Sequence, residues 1–118
     1  MVTIDLFRND DDTRNFAAGQ QIFREGEPGD VMYVVVEGEV DLFIHDRLVE
    51  SLRAGGVLGE MALIDQTPRS ASAVARTECR LVAIDERRFK FLVQQTPNFS
   101  LQLMRVIADR LRRMDSLL

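Results

Sequence analysis

The sequence predicts an α+β domain in which short antiparallel strands close into a barrel or sandwich and two helices follow. Three observations carry this. Short runs rich in Val, Ile, Phe and Tyr recur between residues 13 and 84. Turns bearing Gly and Asp separate them, and many short strands with regular turn signals are the pattern of a barrel or sandwich. After Asp85 the apolar spacing changes to the three-and-four recurrence of a helix.

Residues 1–12 end in the acidic run Asn9-Asp10-Asp11-Asp12 and are expected to be a mobile or loosely docked lead-in to a domain at 13–118. Strands are expected over Met32–Glu37 and Glu39–His45. Glu37-Gly38 and His45-Asp46 occupy hairpin positions, where a tight turn needs positive φ. Val40, Leu42 and Ile44 alternate with Glu39, Asp41 and Phe43, a mostly half-buried pattern. Leu48–Arg53 makes a further strand that Gly55-Gly56 breaks, and Ala71–Arg76 and Cys79–Ile84 complete the strand region at 13–84.

Asp85 can cap a helix over about Glu86–Gln95. Thr96-Pro97 opens the next, with Thr as cap and Pro at the first helical position, so that helices occupy 86–118. On this last helix Met104, Ile107, Leu111, Met114 and Leu118 form a heptad-like seam. The seam predicts either a homodimer through the C-terminal helix or packing of the same stripe against the strands. Arg110, Arg112 and Arg113 read as a solvated helix face, with Asp109 placed four residues before Arg113 as helices prefer.

A chain of 118 residues has room for one domain, and 46% hydrophobic with 29% charged content is ordinary for a globular one. The net charge of −4 supplies no basic footprint for nucleic acid. Cys79 is the lone cysteine, so no internal disulfide forms. The start, Met1-Val2-Thr3-Ile4-Asp5, lacks the basic-then-apolar order of a signal peptide, and the apolar runs are too short to span a membrane. A cytoplasmic location without membrane contact is expected. His45 is the sole histidine and reads as an exposed turn residue. One histidine and one cysteine leave no usual catalytic set and no common Cys/His zinc scheme, so no catalytic residue, metal or cofactor is expected.

The segment from Gly59 to Ala73, GEMALIDQTPRSASA, concentrates the chemistry. A helical turn opening at Gly59 presents unpaired backbone N–H groups, which attract anions. Arg69 adds a planar fork of donors suited to phosphate oxygens. Glu60, an acceptor-only carboxylate, suits a neutral hydroxyl such as that of a sugar. Glycine at 59 permits close backbone approach, and the N–H groups near Glu60, Met61 and Ala62, with that of Ala71, are further candidate phosphate donors. Ser70 can offer its hydroxyl to a phosphate oxygen. Leu63 reads as core packing. The competing account of Arg69 is a surface arginine or a salt bridge to Glu60; that of Glu60 is a helix-dipole partner alone.

This segment resembles the phosphate-binding cassette of the cyclic nucleotide-binding domain family, whose pattern runs glycine, glutamate, apolar, alanine or glycine, leucine, a variable turn, then arginine, small, alanine. All these positions are filled, and Arg69 follows Glu60 at the spacing of the kinase regulatory-subunit branch. The runs Phe23-Arg24-Glu25-Gly26-Glu27-Pro28-Gly29-Asp30 and Met32–Val40 are similar to the family's glycine-marked turns and strands. The resemblance covers roughly Thr13 to Ser116. It implies an antiparallel β-roll, jelly-roll-like, with the cassette inserted between strands and two C-terminal helices behind.

It further implies a non-catalytic sensor that binds cAMP ahead of cGMP, with Arg69 on the phosphate and Glu60 on the ribose 2′-hydroxyl. A hydroxyl residue after the arginine can also contact guanine, and serine there occurs in cAMP-reading transcription factors. Some relatives read adenine through a Thr-Ser pair on the final helix. Met114 and Asp115 stand near those positions, so Leu111, Met114 and Ser116 are the candidates for a looser purine lid, with the seam competing for the first two. DNA-binding relatives carry a helix-turn-helix beyond the long helix, so no direct DNA contact by this chain is expected. The output partner is left open. The alternative function is a structural or interaction domain that keeps the fold without the ligand. A metal-dependent cupin-like enzyme would need several histidines.

Overall fold

The computed structural model describes residues 3–10 and 12–115. Eight strands precede the two long helices: β1 (Arg14–Phe16), β2 (Gln21–Phe23), β3 (Val31–Glu37), β4 (Val40–Ile44), β5 (Arg47–Leu52), β6 (Val57–Leu58), β7 (Ser72–Ala75) and β8 (Cys79–Asp85). A short helix, α1 (Met61–Ile64), separates β6 from β7, and α2 (Glu86–Gln95) and α3 (Pro97–Asp115) follow. The strands form two antiparallel four-stranded sheets, ordered β1-β8-β3-β6 and β2-β7-β4-β5. This is the expected β-roll with C-terminal helices.

β3 and β8 explain the layering. In a strand, successive side chains face opposite sides. Val31, Tyr33 and Val35 point into the core between the sheets, with Leu42, Leu52, Ala73 and Leu81. Met32 and Val34 point the other way, into a second core with Val82, Ile84, Leu92, Phe99, Leu103 and Val106. A strand covered on both faces reads as a continuous apolar run, which is what VMYVV is. The register locks the two strands, with Met32 opposite Ile84 and Val34 opposite Val82.

The turns follow their residues. His45 and Asp46 both take positive φ, 50° and 65°, and join β4 to β5 with Ile44 paired to Arg47. That is the two-residue hairpin expected, built on residue types that tolerate the left-handed region. Gly38 also has positive φ, 95°, but the turn it makes is not a hairpin. β3 and β4 lie in different sheets, so Glu37–Glu39 carries the chain from one to the other. A Cβ at Gly38 would strike the Glu78 carbonyl oxygen and Cys79, which leaves space only for glycine in this crossing.

The lead-in is not loosely docked. Ile4 and Phe7 are buried in the helix-side core, with the Phe7 and Phe99 rings in edge contact at 6.2 Å. Ile4 N–H donates to the Gly55 carbonyl at 2.7 Å. Arg88 donates to Asp10 at 2.8 Å, and this hydrogen bond holds the Asp10 carboxyl below its ordinary value. The acidic tail of the segment hides two apolar anchors three residues apart.

Asp85 caps α2 as expected, accepting from the Arg88 N–H at 2.8 Å. On α3 the buried stripe is Phe99, Leu103 and Val106, not the seam. Met104 and Leu111 are 61% and 58% exposed, while Ile107 is half-buried against the helix-side core. The packing alternative for the seam therefore holds at Ile107 and fails at Met104 and Leu111, while the Met114 side chain and Leu118 lie outside the described residues; a neighbouring stripe docks because Phe99 wedges between Phe7 and Phe89. No described helix is long and apolar enough to cross a membrane.

Candidate functional site

Among the described residues, the buried charged side chains are Glu60 and Arg69, at 5% and 7% exposure. They are the two that the sequence singles out, and burying a charge is unfavourable unless something compensates. Each is compensated differently.

Gly59 turns the chain from β6 into α1 with φ of 75°. Glu60 then takes the N-cap position, but its side chain makes no cap hydrogen bond. Its carbonyl accepts the N–H groups of Leu63 and Ile64 at 3.1 and 3.0 Å. The carboxylate is instead met by Arg110 from α3, whose Nη1 donates to Glu60 Oε1. The same guanidinium donates through Nε to Glu50 Oε1 at 3.1 Å and through Nη2 to the Val57 carbonyl. Burial works against the Arg110 charge, but Glu60 and Glu50 outweigh it and raise its pKa above the ordinary value. Arg113 reinforces the cluster, reaching Glu50 at 3.4 Å and Asp109 at 2.9 Å.

Arg110 is thus not part of a solvated helix face. Phe99, Leu103, Val106 and Arg110 recur at four, three and four residues, so Arg110 continues the docked stripe of α3. An arginine at such a position needs a buried acid, and that spacing is the signal available in the sequence.

Arg69 is held by backbone and by a ring. Its N–H donates to the Glu27 carbonyl and its own carbonyl accepts from Gly26 N–H, both at 2.8 Å. Its Nη1 donates to the Gly59 carbonyl at 3.1 Å, and its Cζ stands 4.2 Å from the centroid of the Phe23 ring. A Cβ on Gly29 would fall on its Nε and Cζ, and one on Gly59 would fall on its Nη1. The guanidinium therefore fills a slot that only glycines leave open. Burial lowers its pKa, with Tyr33, Asp30, Glu27 and Glu60 opposing. The side chain stays charged, as arginine does in proteins. Among the described residues no carboxylate comes within 4.0 Å of it. It is neither a surface arginine nor the partner of Glu60.

The other cassette positions fall around this pair. Ala62 is buried, Met61 and Ala71 are half-buried, and Ser70 is exposed. Leu63 packs against the helix-side core, as expected. Ser72 Oγ accepts from Glu25 N–H at 2.9 Å and, with the Arg69 backbone bonds, ties the segment to the β2–β3 turn. Of the lid candidates, Leu111 is exposed, while the side chain of Met114 and all of Ser116 lie outside the described residues. Sequence reasoning missed Phe23, Gly29 and Arg110. The site can present a dry guanidinium to an anion and a carboxylate to a hydroxyl, and it links the second of these to α3.

A family model described as the cyclic nucleotide-binding domain matches residues 13–96. A CRP-like cAMP-activated global transcriptional regulator of Mycobacterium tuberculosis is 35% identical over 104 residues, spanning 84% of this chain and 46% of that protein. A cAMP-dependent protein kinase regulatory subunit of Eremothecium gossypii is 44% identical over 72 residues, spanning 61% of this chain and 16% of that protein. The chain therefore spans less than half the length of either relative. Among solved structures, the catabolite activator protein of Thermus thermophilus superposes with a TM-score of 0.80 at 34% identity, covering 87% of this chain and 51% of that one.

Proposed function

This chain belongs to the cyclic nucleotide-binding domain family, and from that premise we propose that it is a non-catalytic cytoplasmic sensor that binds a cyclic nucleotide, cAMP ahead of cGMP. The observation that carries this is the Arg69 guanidinium, buried and slotted with no carboxylate partner among the described residues. A cyclic phosphate supplies the missing charge. In a partly dry site such a charge-assisted pair is stronger than one between neutral groups. The N–H groups of Gly59, Glu60, Met61, Ala62 and Ala71, with the Ser70 hydroxyl, complete the phosphate cradle. Glu60 accepts the ribose 2′-hydroxyl on its carboxylate.

The response runs through Arg110. It joins Glu60 at the pocket to α3, so a ligand that draws on Glu60 alters a contact that docks the helix. A ligand shifts such an equilibrium only by its difference in affinity for the two positions. Leu111, Met114 and Ser116 close over the purine in the bound position. The exposed Leu101, Met104 and Leu111 on α3 favour a homodimer through that helix. Light scattering at working concentration is expected to give twice the chain mass, and a monomer mass at all concentrations would exclude the dimer.

The function itself is tested by paired cAMP and cGMP calorimetric titrations. Saturable binding of both, tighter for cAMP, is expected. Ligand at a hundred times Kd should also raise stability by about 2.7 kcal/mol. No heat with either nucleotide at millimolar concentration would leave the ligand-free interaction domain as the reading.

A further inference from the structure

We propose that Phe23 is a positioning residue for nucleotide capture, holding the Arg69 guanidinium in its phosphate-ready place before ligand arrives. The inference rests on the cyclic nucleotide reading of the site.

Phe23 ends β2, paired with Ala73 at the close of the cassette segment, and is half-buried. Its ring lies under Arg69, and the Gly29 and Gly59 backbones crowd the same guanidinium. The ring is itself braced. Tyr33 stacks on it, with centroids 6.3 Å apart and planes 21° from parallel. Phe16 meets Tyr33 edge-on at 6.2 Å. Tyr33 is buried in the core between the sheets, so the shelf beneath Arg69 is continuous with the packed interior of the roll.

The physical need for such a shelf is clear. Arginine carries many rotamers, and its fork binds phosphate well only in a fixed plane. A side chain ordered before binding does not have to be ordered during it. The glycine slot limits where the guanidinium goes and holds it by one hydrogen bond, from Nη1 to the Gly59 carbonyl. The face of an aromatic ring adds attraction, because its negative quadrupole draws the cation, and more so when water is excluded. An aliphatic residue at 23 would fill the same space without that attraction. The Arg69 Nη1 bond to the Gly59 carbonyl uses one donor, and the ring contact uses none, so the fork keeps its hydrogen-bonding edge for the ligand.

The test is calorimetric titration of cAMP into the wild-type domain, Phe23→Leu and Phe23→Tyr, with thermal melting of each protein without ligand. Phe23→Leu is expected to weaken binding about tenfold. Its ligand-free melting temperature should move by only a few degrees, and Phe23→Tyr should bind within about twofold of wild type. Rescue by an aromatic ring separates attraction from space-filling. Should the leucine variant fail to fold, Phe23→Met gives the same comparison with a more adaptable side chain. A wild-type domain that binds, with an aliphatic variant that binds equally well, overturns the positioning role alone. A wild-type domain that binds neither cyclic nucleotide overturns the functional reading, and the role of Phe23 falls with it. Loss of affinity in the tyrosine variant equal to that in the aliphatic one assigns Phe23 to packing.

Discussion

Arg69→Ala is expected to leave the domain folded and to abolish its response to cyclic nucleotide. The two halves of that expectation have separate causes. Removing one member of a buried, hydrogen-bonded charge pair weakens a complex by about 2–5 kcal/mol, and at about 3 kcal/mol the dissociation constant rises more than a hundredfold. The ligand-free fold stands differently. There the guanidinium is desolvated without a carboxylate within 4.0 Å among the described residues, so its removal relieves a penalty as well as forfeiting the Phe23 contact. The backbone bonds of residue 69 to Gly26 and Glu27 survive any substitution except proline. The net change in stability should stay within about 1 kcal/mol. Calorimetry against cAMP and urea unfolding of the same variant check both halves. Retained affinity would remove Arg69 from the site, and collapse of the fold would make it a structural residue. Arg69→Lys should fall between, since it keeps the charge and loses the fork.

Arg110→Met is expected to produce the larger loss of stability. Methionine keeps much of the length and apolar stem but offers no donor. The substitution strips Glu60 and the Val57 carbonyl of the guanidinium that donates to both, and leaves Glu50, among the described residues, with the longer contact to Arg113. Breaking a buried ion pair from one side costs about 3–5 kcal/mol because the remaining charge is left uncompensated. For a domain of this size that corresponds to a fall in Tm of about 10–20 °C. Adding Glu60→Gln to Arg110→Met should recover part of the loss, since the glutamine carries no charge. Urea midpoints for the single and double variants are the measurement. A single-variant loss below about 1 kcal/mol would show that the cluster is solvated and that Arg110 does not dock α3.

Most of the roll and both charged residues of the candidate site are legible in the amino-acid sequence. β3, β4 and β5 announce themselves by composition and by turns, and Asp85 and Thr96-Pro97 mark where the helices start. Glu60 and Arg69 stand out because a carboxylate and a guanidinium flank one short glycine-led turn. What escapes depends on partners far along the chain. Gly38 declares a positive φ but not which sheet the next strand joins. β1 and β2 are three residues each, too short to show alternation. On α3 two apolar stripes lie side by side, and only the aromatic contacts of Phe99 decide between them. Phe23 reads as an ordinary strand hydrophobe until the cassette folds back and sets Arg69 over its ring.

β3 serves as a bulkhead. Its Val31, Tyr33 and Val35 side chains belong to the roll interior, and its Met32, Val34 and Val36 side chains to the helix layer. The two compartments share a backbone but no side chain from that strand. The helices rest on one face of this wall, and the aromatic shelf under Arg69 is built on the other. Of the two buried site charges, Arg69 is therefore anchored on the roll side of the wall, while Glu60 alone is tied across to the helix layer through Arg110.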